Sequence, residues 1–254
     1  MILFFSGTGN SKYVAGFLAD HLDDEVVSLN NILKYHRSFD FTSVKPFVFV
    51  APIYCYRYPL IIENLIQRAN LLGSSEVYCL ATMGLNSGNA DKYLAKIVKE
   101  KGMTFKGFQG ILMPDNYILS DKMLESKEIT YVLKKATPVL KNLVVSIAKH
   151  QEIQKEDKTA FSFIKSSLLN KEFLKHLPKS KEFTVSSSCI GCTLCEQLCP
   201  TNNITMVNNR PVFSTNCLYC FSCLQHCPKK AIDIKGKTEN KGRYVCPNYQ
   251  EKPL

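Results

Sequence analysis

Eight cysteines carry the most specific chemistry in the chain. They form two copies of one spelling, Cys189-x2-Cys192-x2-Cys195-x3-Cys199-Pro200 and Cys217-x2-Cys220-x2-Cys223-x3-Cys227-Pro228. Deprotonated thiols are soft ligands, and at this pitch they can wrap a cubane iron–sulfur cluster. The copies lie 28 positions apart, and the echo runs past the cysteines, with Ile204 and Met206 answered by Ile232 and Ile234. This is an internal duplication. A zinc ribbon pairs two CxxC steps and has no use for eight evenly packed thiols. A disulfide framework is opposed by the odd remainder of three, Cys55, Cys79 and Cys246. Each proline follows the fourth cysteine of its run and can turn the chain there.

Over about residues 183 to 236 the chain resembles a bacterial dicluster ferredoxin. In such repeats the fourth cysteine of each run ligates the other cluster. The resemblance therefore implies one [4Fe-4S] cluster on Cys189, Cys192, Cys195 and Cys227, and a second on Cys217, Cys220, Cys223 and Cys199. It implies a C-terminal α+β dicluster domain over residues 183–254. His226, beside Cys227, is a candidate to tune a cluster through a hydrogen bond. Cys246-Pro247 mimics the end of a run without companions and is left unassigned.

The first half must supply whatever these clusters serve. Strand-length apolar runs at Ile2–Phe5, Val26–Leu29, Phe47–Ala51, Val77–Thr82 and Phe108–Met113 alternate with periodic stretches. That alternation predicts an α/β fold, a five-stranded doubly wound parallel sheet with helices on both faces. The spacing suits the order 2-1-3-4-5, in which a ligand sits beyond the carboxyl ends of strands one and three. At the first of those ends stands Ser6-Gly7-Thr8-Gly9-Asn10-Ser11, followed by a helix expected over Ser11–His21. Backbone N–H groups, hydroxyls and a helix N-terminus together suit a phosphate, and the glycines let the backbone close around it. Two rival phosphate loops fail. The Gly-Lys-Ser/Thr of a Walker loop is absent, and Lys12 stands where the dinucleotide fingerprint needs its third glycine.

This half resembles a flavodoxin, whose first loop reads Ser/Thr-x-Thr-Gly-Asn-Thr/Ser. The resemblance implies a flavodoxin-like domain over residues 1–150 that binds flavin mononucleotide (FMN), with Ser6, Thr8, Gly9, Asn10 and Ser11 on its phosphate. It also implies that two further loops enclose the flavin ring. Pro52, Ile53, Tyr54 and Tyr56 come from the loop after strand three, and Thr82, Met83, Gly84, Gly88 and Asn89 from the loop after strand four. Tyr54 or Tyr56 is the expected stacking partner, since an aromatic face suits isoalloxazine; ordinary packing of the loop on the sheet is the alternative. Arg57, if it faces the ring, would stabilise an anionic reduced flavin. A surface position is its alternative.

Between the halves, residues 122–150 read as a helix with Ile129, Val132, Leu133, Ala136, Leu140, Leu143, Val144 and Ile147 on one stripe, kinked or split at Pro138. Residues 151–182 read as a charged helical linker in which Phe161, Ile164, Leu168, Phe173 and Leu177 could pack between domains. Pro114-Asp115-Asn116-Tyr117 lines the flavin or the domain interface, or is a plain turn. Cys79 reads as core, and Cys55 as an idle thiol more readily than a reactive one.

Composition bounds the rest. At 254 residues and 45% hydrophobic content the chain can hold one mid-sized core and a small cofactor-stapled module. The formal charge is +10. Two oxidised clusters at about −2 each lower that to roughly +6, and an FMN phosphate lowers it further. The Lys-rich stretch from Lys155 to Lys181 is a solvated surface or a match for an acidic redox partner. No nucleic-acid module accompanies the charge. Thiolates that must stay reduced, and Met1 leading straight into an apolar strand, make the cytoplasm the expected compartment; no run is long enough to span a bilayer.

Taken whole, the chain resembles flavodoxin–ferredoxin fusions of anaerobic bacteria and archaea. The resemblance implies transfer of low-potential electrons between two [4Fe-4S] clusters and an FMN, to or from a redox partner protein. The alternative is a ferredoxin-type flavin reductase acting on a small organic substrate, in a pocket walled by Tyr54, Tyr56, Arg57 and Asn116. A redox sensor is a weaker third reading, because no output domain is visible. No catalytic residue is assigned.

Overall fold

The computed structural model describes residues 1–119, 123–154, 165–177 and 179–247. The first half contains strands β1 (Ile2–Phe4), β2 (Val26–Ser28), β3 (Asp40–Ser43), β4 (Phe47–Pro52), β5 (Asn70–Gly73), β6 (Glu76–Met83) and β7 (Thr104–Leu112). Helices α1 (Asn10–Leu22), α2 (Leu29–Lys34), α3 (Leu60–Arg68), α4 (Ala90–Glu100) and α5 (Ser126–Ala148) lie between and after them. Five strands form one parallel sheet in the order β2-β1-β4-β6-β7, which is the predicted 2-1-3-4-5. Alternate residues feed two cores. Leu3, Phe5, Phe49 and Cys79 face α2, α3 and α4, whereas Ile2, Phe4, Val48 and Leu80 face α1 and α5. A strand covered on both faces must be apolar throughout, which explains the uninterrupted run Phe47-Val48-Phe49-Val50-Ala51.

Three details differ from expectation. β7 begins at Thr104, four residues before the predicted start, because the ladder shifts register opposite Val77 and Tyr78, where Gly107 sits at φ +131°. A bulge of this kind breaks the period-two signal that marks a strand. β3 and β5 pair in a small parallel ladder that was not predicted, since both are largely exposed and only Phe41 is buried. Pro138 does not split α5, which runs unbroken from Ser126 to Ala148. Its buried stripe of Leu133, Ala136, Leu140, Leu143 and Ile147 continues through the proline.

After α5 the chain crosses to a single π-type turn, Lys165–Leu169, and α6 (Asn170–Lys175). Phe161 and Ile164 lie outside the described residues. Phe173 and Leu177 pack against the C-terminal core as expected, but Leu168 is exposed. The C-terminal module contains β8 (Phe183–Val185), α7 (Leu194–Gln197), β9 (Ile204–Val207), β10 (Arg210–Phe213), α8 (Ser222–Gln225) and β11 (Ile232–Ile234). β8 pairs antiparallel with β11, and β9 with β10. The sequence repeat is a structural repeat, for α7 and α8, then β9 and β11, start 28 residues apart. Even the left-handed residues that precede each short helix, Thr193 and Phe221, keep that offset. Among the described residues no helix is long and apolar enough to cross a membrane.

Candidate functional site

The loop Ser6–Ser11 lies where the sheet topology requires, between β1 and α1. Gly9 caps α1 at φ +99°, a left-handed conformation that glycine adopts without strain. The N–H groups of Asn10 and Ser11 belong to the first turn of α1, where no intrahelical acceptor exists. Ser6 Oγ accepts from Gly9 N at 3.0 Å, and Thr8 Oγ1 accepts from Asn116 Nδ2 at 2.9 Å. A hydroxyl that accepts from nitrogen keeps its own proton to donate. The loop thus offers hydroxyl protons and N–H groups at a helix N-terminus, a donor set that fits a phosphate. The side chain of Asn10 is spent otherwise, donating to Pro114 O at 2.8 Å and accepting from Tyr244 Oη at 2.5 Å. Ser11 Oγ pairs with Thr82 Oγ1 at 2.8 Å, which ties the phosphate loop to β6.

The other two predicted loops flank it. Tyr54 and Arg57 close a tight bridge, with Tyr54 N donating to Arg57 O at 2.7 Å, and Cys55 and Tyr56 between them sit at positive φ. The π-type turn and α6 fasten both loops from outside. Asn170 Nδ2 donates to the carbonyls of Tyr54 and Cys55, and Ser166 Oγ donates to Tyr56 O while accepting from Asn89 N at 2.6 Å. Gly88, at φ +54°, has room for nothing more than hydrogen, with Ser166 and Tyr56 against it. Within these loops Asn89 Oδ1 is buried and has no hydrogen-bond partner among the described residues. An orphaned buried acceptor is expensive, and a ring N–H of a bound ligand would satisfy it. The residues present therefore fit FMN.

Arg57 does not take the role set out for it. Its guanidinium makes an ion pair with Glu63 and lies over the Tyr93 ring, 3.7 Å from the centroid. Burial pushes the Glu63 carboxyl up, and the Arg57 partner offsets part of that rise. Removing one member of such a pair leaves a buried charge uncompensated. Arg57→Ala is therefore expected to destabilise the protein by about 3 kcal/mol at neutral pH. Because burial raises the folded-state value of Glu63 and loss of Arg57 raises it further, Glu63 protonates first in the variant, so the deficit should shrink as pH falls through the variant's value toward the parent's. Urea unfolding of both proteins at about pH 8 and about pH 6 checks the sign.

The eight cysteines sort into two cavities, and the sorting is crossed. One cavity is lined by Cys189, Cys192, Cys195 and Cys227. The other is lined by Cys199, Cys217, Cys220 and Cys223. Each fourth cysteine thus leaves its own run. The repeat extends to the sulfur contacts, as Asn203 N donates to Cys199 Sγ at 3.2 Å and Ala231 N to Cys227 Sγ at 3.3 Å. Burial first, with neighbouring thiols adding to it and backbone N–H groups offsetting part, pushes the Cys195 and Cys217 thiols up to about 11 and the Cys220 thiol up to about 12. Thiols gathered in fours against an apolar wall, several of them accepting from backbone N–H groups, fit an iron cluster whose cationic metal restores the thiolates. His226 turns its Nδ1 back to Ser222 O at 2.9 Å.

The cavities differ in setting. Cys192 is exposed beside Ile190, which is 60% exposed, whereas the second cavity is pressed against the first half of the molecule. Cys220 is a member of the core that contains Leu3 and Phe49, and Leu218 and Tyr54 pack onto it. Further bonds fix the contact. Lys34 Nζ donates to Glu196 O at 2.8 Å, Gln225 Nε2 to Asn116 O at 2.8 Å, and Cys246 N to Thr8 O at 2.9 Å. Asn116 therefore lies at the interface and the phosphate loop at once. Cys246 is core, 2% exposed. Sequence reading missed Ser166, Asn170, Tyr244 and Gln225, each a single polar residue whose role appears only when distant segments meet. Cys79 is core as expected, and burial pushes its thiol up. Cys55 makes a long contact to Leu169 O at 3.5 Å.

The flavodoxin domain family matches residues 1–125, and the 4Fe-4S dicluster domain family matches residues 188–232. Among solved structures, the chain is similar to a flavodoxin from the domain Archaea, with 17% identity and a TM-score of 0.34 over 59% of this chain and 96% of that one. It is similar to the two-electron reduced Megasphaera elsdenii flavodoxin, with 15% identity and a TM-score of 0.34 over 59% and 99%. A third is the apo form of an NADH:FMN oxidoreductase, with 14% identity and a TM-score of 0.39 over 60% and 90%. No curated protein matches the chain significantly. The doubled cysteine module and the doubly wound sheet thus have their families: the chain is a flavodoxin–ferredoxin fusion, an N-terminal flavodoxin domain joined to a C-terminal 4Fe-4S dicluster ferredoxin domain.

Proposed function

We propose that the chain carries electrons between two [4Fe-4S] clusters and one FMN, taking them from or giving them to a redox partner protein. The observation that carries this reading is the seat of Cys220 on the phosphate loop. An ideal Cβ at Gly7 would fall well inside 3.0 Å of the Cys220 carbonyl oxygen, and 3.3 Å from its Cβ. A cluster ligand and a flavin-binding loop are therefore in direct contact. When bound, each cubane supplies single electrons and the flavin one or two, so the fused pair can exchange between these currencies. Cys189, Cys192, Cys195 and Cys227 would hold one cluster near the surface, and Cys199, Cys217, Cys220 and Cys223 the other against the flavin domain. Ser6, Thr8 and the first turn of α1 would hold the phosphate, and Asn89 would accept from the ring.

The exposed cavity is the natural side for a partner. Ile190 and Lys229 line it and are exposed. Such a face suits an acidic protein. The reductase alternative has less support, because Arg57 is held by Glu63, and Asn116 by Thr8 and Gln225. On this reading residues 1–150 serve the flavin, 151–182 link, and 183–254 serve the clusters, in the reducing setting of the cytoplasm. Anaerobic purification with iron and flavin quantification tests the inventory. About eight irons and one FMN per chain are expected; protein that reconstitutes with iron and never takes up flavin would sink the reading.

A further inference from the structure

Residues Arg243 to Cys246 leave the cluster module and return to the phosphate loop. Arg243 roots them on the module, its Nε donating to Leu224 O and its Nη1 to Thr238 O, both at 2.9 Å. Tyr244 and Cys246 are then buried in the core shared by α1 and α5, and Cys246 N donates to Thr8 O at 2.9 Å. From there a circuit of hydrogen bonds closes. Tyr244 Oη donates to Asn10 Oδ1 at 2.5 Å, and Tyr244 N to Gln225 Oε1 at 2.8 Å. Gln225 Nε2 donates in turn to Asn116 O at 2.8 Å, and Asn116 Nδ2 to Thr8 Oγ1 at 2.9 Å. Gln225 is buried at the end of α8, two residues from Cys223 and two from Cys227.

Two residues of the phosphate loop are thus held from outside it. Thr8 accepts at both its carbonyl and its hydroxyl oxygen, so its hydroxyl proton is the group left to donate. Asn10 is gripped at both ends of its amide, by Tyr244 Oη and by Pro114 O, which fixes the residue that opens α1. We propose that Tyr244 and Gln225 are positioning residues of the flavin-phosphate site: acting through Asn10 and Asn116, they let the cluster module hold the loop in its phosphate-binding form. This rests on the cluster-and-flavin reading above. A loop held in its bound form gives up less freedom when the ligand arrives, so affinity rises. Coupling of this kind is reciprocal, and a bound phosphate would steady α8, which carries Cys223, in return.

The test compares FMN with riboflavin, the same ring without the phosphate, on full-length protein that keeps its clusters after the flavin is stripped. Tyr244→Phe removes one hydroxyl and should weaken FMN binding about threefold to tenfold, with riboflavin affinity and iron content as in the parent. Gln225→Met cuts the circuit at α8 without touching the loop and should lower the preference for FMN in the same way. Tyr78→Phe is the control, because it deletes another hydroxyl of the same core, one that donates to Gln151 O at 2.8 Å, and should leave the preference alone. An unchanged FMN-to-riboflavin ratio in either variant, whether both affinities hold or both fall, overturns the proposal. If Gln225→Met loses iron, Tyr244→Phe decides, since Tyr244 lines neither cluster cavity. A parent that binds riboflavin as tightly as FMN places the fault earlier, in the phosphate loop itself, and the proposal falls with it.

Discussion

Gly7→Val is expected to slow electron exchange between the buried cluster and the flavin by at least about tenfold, because transfer between fixed centres depends on their placement at the ångström scale. Gly7 is not in the left-handed region, so its backbone would accept any side chain. What excludes one is the Cys220 peptide, whose carbonyl carbon stands 3.2 Å from where a Cβ would be. Adding an isopropyl group must drive that peptide off the loop or distort the loop itself, at a cost of about 1–3 kcal/mol. Stopped-flow reduction of loaded protein by dithionite, followed at the flavin, measures the effect. Unchanged kinetics would show that the contact plays no part in setting the distance.

Cys199→Ala is expected to remove about four of the eight irons, and to do so from the cluster of the other cysteine run. Cys199 lines the cavity of Cys217, Cys220 and Cys223, although in sequence it follows Cys195 by only four residues. The variant should lose the same EPR signal as Cys223→Ala, while Cys195→Ala should lose the same signal as Cys227→Ala. The buried-cluster variants should also abolish rapid flavin reduction. If Cys199→Ala and Cys195→Ala silence one and the same cluster, the crossed assignment is wrong.

How far the residues announced all this depends on the reach of each signal. The cysteine runs are local, repeated and chemically narrow, so the module was legible; its crossing came only from the resemblance to dicluster ferredoxins, and the two cavities are lined in that crossed way. The five apolar runs were legible because a strand buried on both faces has no polar position, as Val48, Phe49 and Val50 show. β3 and β5 were not, since mostly exposed strands leave no such mark. The turn Ser6–Ser11 between β1 and α1 was legible from the order of its glycines and hydroxyls, but the reason for Gly7 was not. It lies in Cys220, 213 residues along the chain. Arg57 misled for the same reason: a cation in a ligand loop invites an anionic ligand, and only the fold reveals that Glu63 of α3, buried in the next turn, already answers it. Asn116, read equally as turn, flavin wall or interface, joins the phosphate loop to the cluster module through Thr8 and Gln225.

The account stands on electrons passing within one chain, from cluster to flavin. The most direct test is the rate of flavin reduction in the loaded protein after rapid one-electron reduction of its clusters, measured over a tenfold range of protein concentration. Intramolecular transfer across the Gly7–Cys220 contact predicts a first-order rate that does not change with concentration. A rate that rises in proportion to concentration would mean that electrons reach the flavin only between molecules, and would contradict the account.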